Sequence, residues 1–205
     1  MRIAGKKIGP ESEPFIIAEM SGNHNQSIDR ALAIVKAAYE SGADAIKLQT
    51  YTPDTITLNI KGGSFEVGNN SIWANKNLYD LYQTAHTPWA WHKQIMDYAN
   101  DLGIICFSSP FDESAVDFLE ELNVPAYKIA SFENNHVPLI RKAASTGKPL
   151  IISTGMASLG ELEQAVSTAR LAGCRDLVLL KCTSTYPASP QNTNIRTIPH
   201  LRQLF

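Results

Sequence analysis

Cysteine is scarce in this chain of 205 residues: Cys106, Cys174 and Cys182 are all there is. An odd, low count excludes a disulfide framework and gives no basis for a zinc site. Cys106 and Cys182 fall in apolar, strand-like runs and read as reduced core cysteines of a cytoplasmic protein. Long hydrophobic runs are lacking too. Behind Met1-Arg2-Ile3-Ala4-Gly5-Lys6-Lys7 the first apolar run is only Phe15 to Ala18, too short for a signal peptide. No segment approaches transmembrane length, so no membrane partner is expected. No charge of one sign dominates either. A formal net charge of −2 and a pI near 6.2 give no general attraction to nucleic acid or anionic lipid. The five histidines, His24, His86, His92, His136 and His200, show no paired ligand spacing. No Gly-x-Gly-x-x-Gly follows the first strand-like run, which excludes the dinucleotide fingerprint.

What is present is a repeated oddity. Ala126-Tyr127-Lys128-Ile129-Ala130-Ser131-Phe132-Glu133 reads as a short strand that stops in a polar cluster. Side chains alternate faces along a strand, so Lys128 shares a face with Ala126 and Ala130. Lysine is almost never buried without a partner. Ala45-Ile46-Lys47-Leu48-Gln49 repeats the pattern, and Leu179-Leu180-Lys181-Cys182-Thr183 again places a lysine late in an apolar run. Two readings stand: structural ion pairs with neighbouring acids, or amines kept for an anionic ligand. The threefold repetition favours the second.

The chain alternates strand and helix. Strands are expected at 14–19, 44–50, 104–108, 126–130, 149–153 and 177–182. Helices are expected at 28–41 (N-cap Ser27, ended by Gly42), 76–84, 88–102, 111–122, 137–146, 159–172 and from Thr197 to Phe205. Strands of Ile, Leu, Val and Ala, each followed by a helix, imply a parallel sheet covered by helices. Polar residues gather after every strand, at Glu19, Gln49-Thr50, Ser108-Ser109, Ser131 with Glu133, Ser153-Thr154 and Thr183-Ser184. A TIM-type (β/α)8 barrel collects its reactive groups on that rim, so the pattern favours an α/β barrel over an open sheet. Residues 51–75 lack periodicity and read either as a lid or as a surface excursion with its own small hairpin.

The rim groups each carry a plainer alternative. Ser158-Leu159-Gly160-Glu161 and Ser109-Pro110-Phe111-Asp112 resemble capping boxes. Capping is the reading for Ser158, whereas Ser108 and Ser109 could equally face an anion at a helix N-terminus. Asn23-His24-Asn25 reads as a hydrogen-bonded turn rather than a metal ligand. Glu19 is either the partner of a strand lysine or a base that orients a hydroxyl.

Phe15-Ile16-Ile17-Ala18-Glu19, Asn23-His24-Asn25, Lys47-Leu48-Gln49-Thr50, Ser108-Ser109-Pro110-Phe111, Tyr127 to Glu133, Ser153-Thr154-Gly155-Met156 and Cys182 to Pro187 occur here in the order found in the sialic acid synthase family. The chain resembles that family from about Pro14 to Leu204. Thr87 to His92, Lys181 to Ser184 and Phe132 resemble its pseudaminate branch. The N-acetylneuraminate branch, which uses N-acetylmannosamine, prefers His and Asn where Lys181 and Ser184 stand.

The resemblance implies condensation of phosphoenolpyruvate with a 2-acetamido sugar opened to its aldehyde, with release of phosphate. For the pseudaminate branch the sugar is 2,4-diacetamido-2,4,6-trideoxy-L-altrose. It implies that Lys47, Ser109, Lys128, Ser131, Ser153 and Ser184 hold phosphoenolpyruvate, that Glu19 is catalytic, and that Gln49 and Tyr186 contact the sugar. A divalent metal, Mn or Mg, would act as Lewis acid on histidine ligands expected beyond Phe205, with no metal ligands in this chain. A homodimer is expected of the full-length enzyme. A closed barrel needs eight strands and typically about 250 residues, and six strands are expected here. Residues 1–205 are therefore expected to be the front part of such a barrel, without the family's C-terminal antifreeze-like domain. Made alone they should associate through exposed strand edges and be inactive. A Schiff-base aldolase and a non-catalytic binding remnant are the other classes that these residues admit.

Overall fold

The computed structural model describes every residue except 69–73, 75, 186 and 187. Two compact units emerge, Pro14–Val124, and Pro125–Phe205 together with Met1–Glu13. The chain opens with an antiparallel hairpin of β1 (Arg2–Ile3) and β2 (Lys6–Lys7) that the sequence reading missed. Its two-residue loop puts both Ala4 (φ 45°) and Gly5 (φ 84°) in the left-handed region, as a primed hairpin turn requires.

In the Pro14–Val124 unit the order is β3 (Ile17–Glu19), α1 (Ile28–Glu40), β4 (Ala45–Thr50), α2 (Pro53–Ile56), α3 (Leu78–Ala85), α4 (Trp89–Leu102), β5 (Ile105–Pro110) and α5 (Glu113–Glu121). The strands are parallel and neighbours in chain order. Helix α1 starts where the sequence says it should: the Ser27 side chain accepts from the Arg30 N–H, and Ala31, Val35 and Ala38 make its buried stripe. The described part of 51–75 holds α2, a short 3₁₀ turn at Gly63–Phe65 and an antiparallel bridge between Glu66 and Asn77. That bridge is a single antiparallel pairing with a residue beyond 75, and residues 69–73 and 75 lie outside the described residues.

The other unit continues with β6 (Tyr127–Ile129), α6 (Val137–Ser145), β7 (Leu150–Ser153), α7 (Leu159–Leu171), β8 (Leu177–Leu180) and α8 (Thr197–Leu204). These strands are again parallel and in chain order. Six β/α units thus follow one another along the chain, three strands to each unit. Among the described residues no helix is long and apolar enough to cross a membrane.

Three local expectations need correction. Strand β5 runs on through Ser109 to Pro110, and the N-cap of α5 is Asp112, whose side chain accepts from the Ser114 N–H. Ser109 is therefore a strand residue and caps nothing. Strand β8 stops at Leu180, so Lys181 lies past its end. Lys181 also has the parity of Leu177 and Leu179, and with them it lines a groove completed by Val166 of α7 and Leu201 of α8. The third lysine is thus turned to the helices, away from the face that carries Lys128. Finally, Cys182 is only half-buried, whereas Cys106 and Cys174 are buried; none is paired.

Candidate functional site

The register of the Pro14–Val124 unit builds one polar face. Glu19 pairs with Lys47 and Gln49 with Ser109, and partners in a parallel ladder project to the same side. Glu19, Lys47, Gln49 and Ser109 therefore share a face at the C-terminal ends of β3, β4 and β5. Lys47 Nζ stands 3.1 Å from Glu19 Oε2, with the lysine side chain 4% exposed and the glutamate 52%. The ion-pair reading of Lys47 is thus realised. An ammonium has three donors, however, and one carboxylate oxygen does not exhaust them. Ser109 is fully buried, and its Oγ has no hydrogen-bond partner among the described residues. A buried hydroxyl left so costs roughly 1–3 kcal/mol, which an acceptor on a bound anion would recover.

His24 takes the turn reading. Its Nδ1 accepts from the Gln26 N–H at 3.2 Å, so the proton sits on Nε2, which donates to Thr87 Oγ1 at 3.1 Å. Burial, helped by His86, lowers its pKa. Both ring nitrogens are occupied, which leaves no lone pair for a metal.

In the Pro125–Phe205 unit, Lys128 shares its face with Ile151 and Ser153. It is 9% exposed, and its Nζ lies 3.5 Å from the Ile129 carbonyl. Beyond β6 the chain turns through a 3₁₀ segment, Ser131–Glu133, into Asn134. Asn134 is buried, and its Nδ2 donates to the Ser153 and Gly155 carbonyls at 3.2 and 3.0 Å. The turn after β7 is thereby held against the turn after β6. Gly155 fits there because it has no side chain: a Cβ would overlap Ser184 Oγ and stand 2.7 Å from Ser131 Oγ. Ser131 and Ser184 accordingly converge around one backbone position, and Ser184 Oγ is buried with no hydrogen-bond partner among the described residues. Tyr186 lies outside the described residues.

Glu133 belongs to the same cluster. Burial pushes its carboxyl up to about 7, against the pull of Lys128 in the other direction, and its Oε2 is a buried oxygen with no hydrogen-bond partner among the described residues. The folded state thus keeps a proton that the unfolded chain loses near pH 4.5. Stability from this group is present below pH 4.5 and is lost as pH rises to about 7. At about 1.4 kcal/mol per pH unit the loss amounts to about 3 kcal/mol. Glu133→Gln should therefore be about 3 kcal/mol more stable than the unaltered protein at pH 8 and equal to it at pH 4.5, by urea denaturation. Parallel pH profiles for the two proteins would contradict this.

Sequence reasoning placed Glu133 on the rim without a role and did not single out Asn134 or Gly155. Gly155 was visible inside Ser153-Thr154-Gly155-Met156. Asn134 carried no signal, because an asparagine after a short strand reads as an ordinary turn residue. Among the described residues no group of three or more His, Cys, Asp or Glu could hold a metal ion. The described residues therefore make no divalent-ion site.

The comparisons with known proteins bear on both clusters. The chain is 46% identical over 195 residues to the pseudaminic acid synthase of Campylobacter jejuni, covering 95% of this chain and 57% of that protein. It is 39% identical to the N,N'-diacetyllegionaminic acid synthase of Legionella pneumophila over 98% of this chain and 57% of the relative. Among solved structures, an N-acetylneuraminic acid (sialic acid) synthetase from Leptospira borgpetersenii, in complex with citrate, superposes with a TM-score of 0.87 at 29% identity. That match covers 100% of this chain and 66% of the other. The chain thus spans a little over half the length of the curated relatives it matches. Its six β/α units are those of the TIM-type α/β barrel fold of these synthases. The NeuB family model matches residues 34–205, which takes in every strand from β4 to β8 and most of the candidate residues; the chain belongs to the NeuB family.

Proposed function

We propose that the full-length protein condenses phosphoenolpyruvate with 2,4-diacetamido-2,4,6-trideoxy-L-altrose and water, giving pseudaminic acid and phosphate. The observation that carries this reading is the 46% identity to a pseudaminic acid synthase over 95% of the chain. The buried hydroxyls of Ser109 and Ser184, without a hydrogen-bond partner among the described residues, support it, because phosphoenolpyruvate brings the acceptor oxygens that such groups need.

In this reading the methylene carbon of phosphoenolpyruvate attacks the aldehyde carbon of the open sugar, forming the new carbon–carbon bond while the carbonyl π pair passes to the aldehyde oxygen, which takes up a proton to become a hydroxyl. The former enol carbon bearing the phosphate becomes cationic, and water adds to it with loss of a proton. The resulting tetrahedral centre collapses as its carbon–oxygen bond to phosphate breaks. Lys47, Ser109, Lys128, Ser131, Ser153 and Ser184 are the donors this reading assigns to the carboxylate and phosphate. Their task is to fix two anionic groups so that the methylene carbon is presented in one orientation. Glu19, half-exposed and paired with Lys47, accepts a hydrogen bond from the attacking water or from a sugar hydroxyl. Gln49 and Tyr186 contact the sugar. Any divalent ion would supply Lewis acidity to the aldehyde.

Specificity is the test. Offered both sugars, the full-length protein should turn over the 2,4-diacetamido-6-deoxy sugar and largely ignore N-acetylmannosamine, as followed by phosphate release. The Lys181, Ser184 and Trp89-Ala90-Trp91 segments motivate this preference. Comparable turnover of the two sugars would move the protein to the N-acetylneuraminate branch. Release of phosphate from neither would defeat the synthase reading altogether.

A further inference from the structure

Behind the polar face of β4 and β5, on the side turned to α4, lies a second set of polar groups. Thr50, Ser108 and His92 are each fully buried. Thr50 Oγ1 is 2.6 Å from Ser108 Oγ on the neighbouring strand and 2.9 Å from His92 Nε2. His92 Nδ1 is 3.2 Å from the Pro88 carbonyl, one helical turn back.

The direction of every proton in this chain follows from its last member. A carbonyl oxygen only accepts, so Nδ1 carries the hydrogen. Burial above all pushes the His92 pKa down to about 4, so the ring is neutral and Nε2 is a bare acceptor. Thr50 must then donate to Nε2. Its single hydrogen is thereby spent, and Ser108 must donate to Thr50. The order Ser108 → Thr50 → His92 → Pro88 carbonyl is the sole one that satisfies these groups. A fully satisfied buried polar chain rigidifies its surroundings and specifies one geometry.

That geometry matters because of what lies next along each strand. Gln49 precedes Thr50 and Ser109 follows Ser108, both projecting to the opposite, ligand-side face. A shift of the strand ends moves Gln49 and Ser109 together, and Ser109 is the residue whose buried hydroxyl has no partner among the described residues. We propose that His92 is a positioning residue which, through Thr50 and Ser108, holds Ser109 and Gln49 at the places where phosphoenolpyruvate and the sugar are bound. The inference rests on the proposed function.

Phosphoenolpyruvate binding to the full-length protein, by calorimetry, tests it with Thr50→Val, His92→Leu and His92→Gln. Thr50→Val keeps the shape and removes both hydroxyl contacts. His92→Leu removes the acceptor. His92→Gln restores an oxygen that can accept from Thr50. Outer groups that orient a ligand's partners typically cost about 10–100-fold when lost. Thr50→Val and His92→Leu should each raise Kd by about tenfold or more, with His92→Gln returning it to within about threefold of the unaltered protein. A purely structural role would lower the melting midpoint of all three variants without this pattern in Kd. An unchanged Kd in Thr50→Val, with the unaltered protein binding normally, overturns the inference alone. Failure of the unaltered protein to bind phosphoenolpyruvate overturns the functional reading, and the inference with it.

Discussion

Gly155→Ala is expected to abolish detectable phosphoenolpyruvate binding while leaving the fold in place. The glycine is not needed for its backbone angles, since it is absent from the positive-φ glycines. It is needed for space. The added Cβ would overlap Ser184 Oγ and crowd Ser131 Oγ at 2.7 Å and Ser131 Cβ at 3.1 Å. The cheapest relief is rotation of the two serine side chains, because the Gly155 carbonyl is tied to Asn134 and the backbone has little room to move. Overpacking of this kind costs roughly 1–3 kcal/mol of stability, which a domain of ordinary stability survives. The ligand fares worse, because both hydroxyls leave the positions from which they donate. Calorimetry should show affinity weakened by roughly a hundredfold or more, about 3 kcal/mol, alongside a modest fall in melting midpoint. Affinity within a few-fold of the unaltered protein would mean that Ser131 and Ser184 are not ligand donors.

Lys128→Ala should be as severe for binding. The ammonium is nearly buried, faces the same side as Ser153, and lies near enough to Glu133 to pull its carboxyl pKa down. Removing the charged partner of a desolvated anion costs roughly 3–5 kcal/mol, or about two to four orders of magnitude in affinity. Lys47→Ala should behave similarly, with the added release of Glu19 from its 3.1 Å contact. A second readout separates ligand loss from damage to the protein. Without the Lys128 charge the Glu133 carboxyl should titrate higher still, so the stability lost on raising the pH should continue beyond pH 7. Unchanged phosphoenolpyruvate affinity in both lysine variants would return them to the structural ion-pair reading.

How much of this was legible beforehand depended on whether the signal was local. Strand–helix alternation, the N-caps at Ser27 and Ser158, and the burial of Lys47 and Lys128 followed from periodicity and side-chain chemistry within a few residues. The Ser158–Glu161 capping box is present in both halves. At Ser109 the same local signal left capping and an anion contact equally open. A hydroxyl three residues before an acid satisfies the capping pattern whether or not the strand has ended, and the end of β5 is set by its pairing with β4. Lys181 failed similarly, because a strand that stops two residues early leaves the next side chain outside the ladder.

By itself the sequence determined the class of fold and the family to which the motifs belong, and it named the candidate residues. Those properties reside in residue type, order and short-range period. Only the tertiary structure decided which of these residues meet. The pairing of Lys47 with Glu19 joins two strands 28 residues apart, and the Ser108–Thr50–His92 chain joins three elements. The Asn134 clamp, like the close fit of Ser131 and Ser184 around Gly155, unites turns from separate β/α units. None of these contacts has a sequence period. They exist because parallel strands set side by side bring their C-terminal ends together whatever the length of chain between them.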